Sequence, residues 1–343
     1  QQALQVMQEK PRRAVIALSH LRRYQLAVCP ESEYHRMETE RSKRREHHRL
    51  SYESLSAGTD WRMAHEISAS QAREHARAWA EGRSPQWQFH RNEAVRSDRD
   101  LDHWEPQLSV HVRFQDDAQR RQEAEERFRR MDADFEHINR AWKKMPMSFV
   151  DVFRAESANT GHMHVRQYDR QRQNFVDAVK AGRPLGLLTH PKHSVSGVWL
   201  DHVLLGFSDA GMGHDEGLQK IPQYVSSADF SLIPHVDIGC SLWAQWAMIV
   251  NRGGKGVTAS DCNDIGFIQS YLPYCDAMFI DTKQYVRLQE IRHEQGRLTG
   301  YLTRLFSYAN LDEFEQWVNQ LVAAMSPEHR ATLSRYYGIV PEG

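Results

Sequence analysis

The chain of 343 residues is long enough for one large domain or two. Hydrophobic residues make up 40%, charged residues 26%, and the formal net charge is −1, so the composition supports a packed core and the charge balance argues neither for nor against nucleic acid. No run approaches the roughly 18 apolar residues of a membrane-spanning helix, no leader peptide is visible, and four scattered cysteines form no CxxC pair, which predicts neither a zinc knot nor a disulfide framework and fits a reducing, cytoplasmic setting.

Residues 1–22 carry apolar positions at helical spacing among basic ones, and Pro11 is expected to split them. Residues 25–29 suit a short strand, followed by a charged helix from about Glu33. Its continuation, 38–49, is rich in Arg and Lys with His47 and His48. That reads as a solvated face or, alternatively, a phosphate-contacting surface. Thr59 or Asp60 can cap a second helix that includes Trp61, Ile67 and Trp79 and ends at Gly82. Residues 108–114 alternate apolar and polar, as a half-wet strand does.

The longest helix is expected over 116–144. Ala124, Phe128, Met131, Phe135, Ile138 and Trp142 recur in a heptad seam. The seam implies packing onto the same chain, with a homodimer or a separate helical partner as the alternative. Further helices are expected over 147–182, 195–207 and 242–250. A strand-like run starts at 185, and an exposed loop is expected over 208–228. The C-terminal third alternates helix 258–272, strand 277–280, helix 284–294, strand 302–306 and helix from Asn310. That alternation predicts an α/β fold with a mainly parallel sheet. Ser326 with Pro327 opens a last short helix, so 326–343 form a helical tail.

The stretch TASDCNDIGFIQSYLPYCDAMFIDTK (258–283) carries the clearest chemistry. Ser260 is the expected cap of its helix, with Asp261 and Asp264 in the first turns, and Asp276 and Asp281 flank the strand. With Glu33 and Glu38 these acids supply the oxygen ligands that Mg²⁺ or Mn²⁺ prefers. The plainer reading is that they only cap and flank. Histidine offers a competing chemistry: His162, His164, His190, His193, His202 and His214, with Asp201, could build a zinc or iron site of a His-rich metallohydrolase. The run RGGKG (252–256) lacks the Ser or Thr of a P-loop and reads as a helix end with a phosphate contact.

The pattern DIGFIQSYLPYCDAMFIDTK (264–283) resembles the last third of PIN-like nuclease domains, and RYQLAVCPESEYHRMET (23–39) resembles their second strand and the helix with their glutamate. The resemblance covers about 12–45 and 230–325. It implies a three-layer α/β/α sandwich over 1–45 and 230–325, a large helical insertion over 46–229, and a Mg²⁺- or Mn²⁺-dependent ribonuclease acting on RNA. Carried over, Glu38, Asp264 and Asp281 match metal-binding catalytic positions, Asp276 and Asp261 lie nearby, and Arg252, Lys255 and Lys283 are expected to contact the nucleic-acid backbone. Two departures stand out. No strand ending in aspartate precedes Leu4, in a chain that opens on Gln1, and Thr282 follows Asp281 where the family places threonine before the acid. They keep open a catalytically degenerate PIN-like module used for binding or assembly.

Overall fold

A computed structural model of the protein describes residues 2–42, 45–96, 100–101, 118–144, 148–184 and 190–340. The N-terminal part holds α1 (Gln2–Arg23), α2 (Glu33–Arg41), α3 (Arg45–Ser56) and α4 (Ala64–Ala80). The middle holds α5 (Ala118–Trp142), α6 (Phe149–Lys180), α7 (Val195–Asp209) and α8 (His214–Val225). The last part holds α9 (Pro234–Asn251), α10 (Ala259–Tyr271), α11 (Thr282–Glu294), α12 (Leu311–Ala323) and α13 (Pro327–Tyr337). The strands are β1 (Asp60–Trp61), β2 (Val95–Arg96), β3 (Ala277–Phe279) and β4 (Arg304–Phe306).

This corrects the expected fold class. Among the described residues the strands form two two-stranded sheets, antiparallel β1–β2 and parallel β3–β4, so a three-layer α/β/α sandwich is not what the chain builds. The parallel pair registers Met278 on Leu305, as the helix–strand alternation predicts, but nothing extends it into a wide sheet. Residues 25–29 show why. Their backbone bonds leave for turns and neighbours: the Leu26 N–H donates to Leu21 and the Cys29 N–H to Leu55. Leu26 and Ala27 pack against the same apolar cluster as Ala277 and Phe279, without joining their sheet. The expected strand at 108–114 lies outside the described residues, as does the run from 185.

Other expectations shift for local reasons. Pro11 sits inside an unbroken α1, whose Ala14, Ala17 and Leu21 are buried against Leu311, Phe314 and Val318 of α12, so packing outweighs the lost hydrogen bond. Trp61 lies in β1, and α4 starts only at Ala64, where the Glu66 carboxylate accepts the Met63 N–H at 2.8 Å. The expected loop 208–228 instead contains α8, because Ile221, Tyr224 and Val225 form a buried stripe.

One apolar core runs through most of the chain, from Trp61 and Ile67 through Trp199 and Trp246 to Leu305. The middle helices therefore share a core with α9, α10 and α11. The seam of α5 is largely spent inside the chain. Phe128, Phe135 and Trp142 are buried, and Phe135 and Trp142 meet Trp243 of α9 at 5.8 and 6.3 Å. Ile138 is left 38% exposed. At the far end α13 docks beside the end of α1: Leu333 clusters with Tyr24, Val322 and Met325, and the Tyr24 carbonyl meets His329 Nε2 at 2.8 Å. None of the described helices is long and apolar enough to cross a membrane.

Candidate functional site

Three helices bring acids together. The cap of α10 is Thr258, two residues before the expected Ser260. Its hydroxyl accepts the Asp261 N–H at 3.3 Å, while the Asp261 carboxylate accepts the Thr258 N–H at 3.0 Å. Asp132 of α5 accepts the Ala259 N–H at 2.7 Å, so the start of this helix is pinned from a second element. Asp264 follows one turn later. Asp281, two residues beyond β3, is the N-cap of α11, where it accepts the Gln284 N–H at 2.6 Å. Glu38 arrives on α2, which lies against α10.

Electrostatics shows that the three share one locale. Burial pushes Asp264 up to about 7, and the charges of Glu38, Asp281 and Asp261 push the same way. Burial also raises Glu38; nearby Arg41 pulls it down and Asp281 pushes it up. Like charges held close disfavour ionisation of their neighbours, so Asp264 registers Glu38, Asp281 and Asp261, and Glu38 registers Asp281, across elements far apart in sequence.

Beneath the acids, α11 presents a face that sequence reasoning missed. Gln284 is fully buried and leans toward Asp264, which eases the upward push on that carboxyl, yet neither amide atom makes a hydrogen bond. Arg287, one turn on, is also buried and stacks on Trp246 of α9. The signal was present: Asp281, Gln284 and Arg287 recur at steps of three, which places them along one face of a helix.

The remaining candidates lie elsewhere. Asp276 precedes β3 while Asp281 follows it, about 16 Å apart at roughly 3.3 Å per strand residue. Its carboxylate pairs with Arg91 at 2.7 Å, so it is no neighbour of the cluster. Glu33 accepts the Ala64 N–H at 2.8 Å and serves α4. Lys283 is exposed in the first turn of α11 beside Asp281. Arg252 and Lys255 are exposed after α9, in a connection whose Val257 is tied to Asn139 of α5.

The histidines do not gather as one site. His164 stacks on Trp199 at 4.6 Å, His162 bonds Ser226 at 3.2 Å, and the His190 ring accepts the Lys192 N–H at 3.3 Å. His214 is exposed at the start of α8. Among the described residues, no three His, Cys, Asp or Glu side chains stand close enough to hold a metal ion together.

The acidic cluster still has the right donor chemistry for a hard cation. Its ligands are carboxylate oxygens, and the buried Gln284 amide adds an oxygen without a partner. Bringing Glu38, Asp264 and Asp281 onto one ion takes side-chain movement. Asp281 is exposed, and Glu38 and Asp264 are half-buried, so the room for that movement lies on the solvent side. No family model, curated protein or solved structure matches this chain.

Proposed function

We propose that this protein is a metal-dependent nuclease that hydrolyses phosphodiester bonds in RNA, with Glu38, Asp264 and Asp281 as its catalytic carboxylates and Asp261 supporting them. The observation that carries the reading is the coupling of Asp264 to Glu38, Asp281 and Asp261, acids from α2, α10 and the start of α11, with the buried Gln284 amide beside Asp264. The PIN-like resemblance enters only through these local units, not through the sheet. A bound Mg²⁺ or Mn²⁺ supplies charge neutralisation at the phosphoryl group and an acidified water.

The chain's own residues do the rest. The Gln284 N–H holds one Asp281 oxygen and leaves the other for ligation. The capping box fixes Asp261 against the start of α10. Asp264, easily protonated near neutral pH, takes its charged form once a cation offsets Glu38 and Asp281. Lys283, Arg252 and Lys255 supply exposed positive charge for a phosphate backbone. The experiment is cleavage of single-stranded RNA with Mn²⁺ by the wild type and by Asp264→Asn. The reading expects a loss of at least about a hundredfold in the variant, since catalysis depends on the cation. Equal rates in both proteins would remove it.

A second reading has its own observation. The acids do not form a closed ligand shell as they stand, which suits a catalytically degenerate module that binds RNA or a partner without cutting. It predicts RNA binding that Mn²⁺ leaves unchanged and no cleavage at any metal concentration.

A further inference from the structure

The parallel pair β3–β4 keeps one edge open, far from the acids. The Arg304 N–H donates to the Asp276 carbonyl at 3.0 Å, and the Phe306 carbonyl accepts the Ile280 N–H at 2.8 Å, so these two residues bond toward β3. Bonding direction alternates along a parallel strand, and Leu305 between them turns its N–H and carbonyl the other way. The Asn310 side-chain amide donates to that carbonyl at 3.0 Å. Among the described residues nothing accepts the Leu305 N–H, and no third strand pairs with β4. Successive side chains of a strand point to opposite faces. Leu305 accordingly joins Leu288 and Ile291 of α11 in one core, while Phe306 joins Phe314 and Val318 of α12 in another. Both faces of β4 are covered, and its edge lies at the floor of a groove of about 380 Å³ between the two helices.

The groove has a chemical character of its own. Arg292 and Arg304 line it, and among the described residues neither guanidinium is ion-paired. Arg292 Nη2 donates to the Tyr301 carbonyl at 3.1 Å, but its buried Nε has no hydrogen-bond partner. Leaving a charged donor unmet costs more than leaving a neutral one unmet, and a carboxylate is the planar acceptor that fits a guanidinium. The acid in the lining, Glu313, is held by the Asn310 amide at 3.1 Å. Apolar surface stands beside this charge: Trp317 forms part of the α12 wall and Leu302 is 93% exposed. A strand edge with a free donor, unpaired positive charge and an exposed leucine call for an extended chain that carries a carboxylate and an apolar side chain. A second copy of this protein fits less well. Pairing β4 with its own copy about a two-fold axis would set arginines against arginines.

We propose that the groove between α11 and α12 docks an extended acidic segment of a partner protein, which adds to β4 as a third strand. The Leu305 N–H then donates to the partner's backbone, Arg292 and Arg304 take its carboxylate, and Leu302 and Trp317 cover an apolar neighbour. Main-chain bonds give such a mode its affinity and the flanking side chains its selectivity. The proposal stands apart from the nuclease reading. At 1.5 Å per helical residue, about 16 Å of α11 separates Arg292 from Asp281 at the helix start, so an occupied groove leaves the acids open.

The test selects a random-peptide library displayed on phage against the full chain, then measures the enriched peptides by fluorescence polarisation. Acidic, apolar-flanked sequences are expected to be enriched. Their affinity should fall about tenfold or more in Arg304→Glu, an exposed substitution that spares the core, and in Arg292→Gln. Methylating the peptide's backbone nitrogens at alternate residues should cost as much on one register and little on the other, as strand pairing requires. Hydrogen–deuterium exchange should slow across 302–306 when the peptide binds. No enrichment, or enriched peptides without acidic residues, overturns the choice of partner. Affinity indifferent to Arg304→Glu and to methylation in both registers overturns the docking geometry. A concentration-dependent dimer of the chain that protects 302–306 without any peptide gives the edge to a second copy, and displacement of the peptide by single-stranded RNA gives the groove to nucleic acid; either overturns the proposal.

Discussion

Gly266 of α10 leaves the space that the Tyr34 ring of α2 occupies: a Cβ on Gly266 would lie 2.6 Å from the ring. Tyr34 and Glu38 are one turn apart on α2, so this close approach brings Glu38 to Asp264. His35 backs it by packing its ring 4.7 Å from Phe267. Gly266→Ala must displace the Tyr34 ring and so disturb the seating of α2 on α10. The expected cost is about 1–3 kcal/mol of stability, together with weaker Mn²⁺ binding, although the substitution touches no acid. A melting curve and a Mn²⁺ titration on the same variant check it. Lost stability with unchanged Mn²⁺ affinity would show that Glu38 is not positioned this way.

Asp264 sets an opposition between stability and binding. A carboxyl held near 7 in the fold, against about 3.9 in an unfolded chain, is more stable protonated. Its stabilising contribution is complete below the unfolded value and is lost as pH rises through about 7. At pH 8 without metal it therefore burdens the native state. Asp264→Asn should raise stability there by about 2 kcal/mol, allowing for partial exposure of the site. Added Mn²⁺ should stabilise the wild type and leave the variant where it was. Thermal melts at pH 8 with and without Mn²⁺ measure both; a destabilised metal-free variant would contradict the assignment.

Acid sensitivity follows from the histidines. Burial holds His35, His75, His164 and His235 down to about 4, with the neighbouring His164 adding to the effect at His235. An unfolded histidine titrates near 6.5. Between these values the unfolded chain takes up protons that the fold refuses, so stability falls as pH drops from 6.5 toward 4. Each histidine contributes up to about 1.4 kcal/mol per pH unit. Asp264 works against this over the same window, and the raised Glu31, Glu38, Glu156 and Asp237 join it toward the acid end; between pH 7 and 5 the four histidines, with the lowered His202 and His329 beside them, outweigh these carboxyls. Urea midpoints at pH 7, 6 and 5 should decrease in that order, and a flat or rising series would mean that these imidazoles are protonated in the native protein.

Asp276 provides a control within the same stretch of chain. Its ion pair with Arg91 is surface-exposed, and such pairs contribute at most about 1 kcal/mol. Asp276→Asn should leave both Mn²⁺ binding and RNA cleavage within about twofold of wild type, as expected for a charge outside the cation's reach. A large loss in either assay would place Asp276 in the site and break the strand geometry that separates it from Asp281.

Periodicity exposed the parts of this fold that depend on local pattern. The α10–β3–α11–β4–α12 order, the cap of α13 and the inward seam of α5 were all readable from spacing. The wide sheet was not there to be read. An apolar run such as 25–29 fits a strand by composition, but its hydrogen bonds went to Leu21 and Leu55, and only tertiary packing decides that. Asp264 and Asp281 stood out because charge next to apolar periodicity is conspicuous, whereas Glu38, in a helix dense with charge, was singled out through the resemblance of its strand–helix unit. Gln284 and Arg287 escaped because a polar residue on a helix reads as solvent-facing until its burial is known. Asp276 looked equivalent to Asp281 because sequence distance conceals that a strand has two ends.

The central claim is that Glu38, Asp264 and Asp281 share a cation. Electron paramagnetic resonance of Mn²⁺ titrated into the wild type, Glu38→Gln, Asp264→Asn, Asp281→Asn and Asp276→Asn tests it directly. Tight binding by the wild type and by Asp276→Asn, with a drop of about tenfold or more in each of the other three, is the predicted result. The same signal in all five proteins, or none in the wild type, would contradict it.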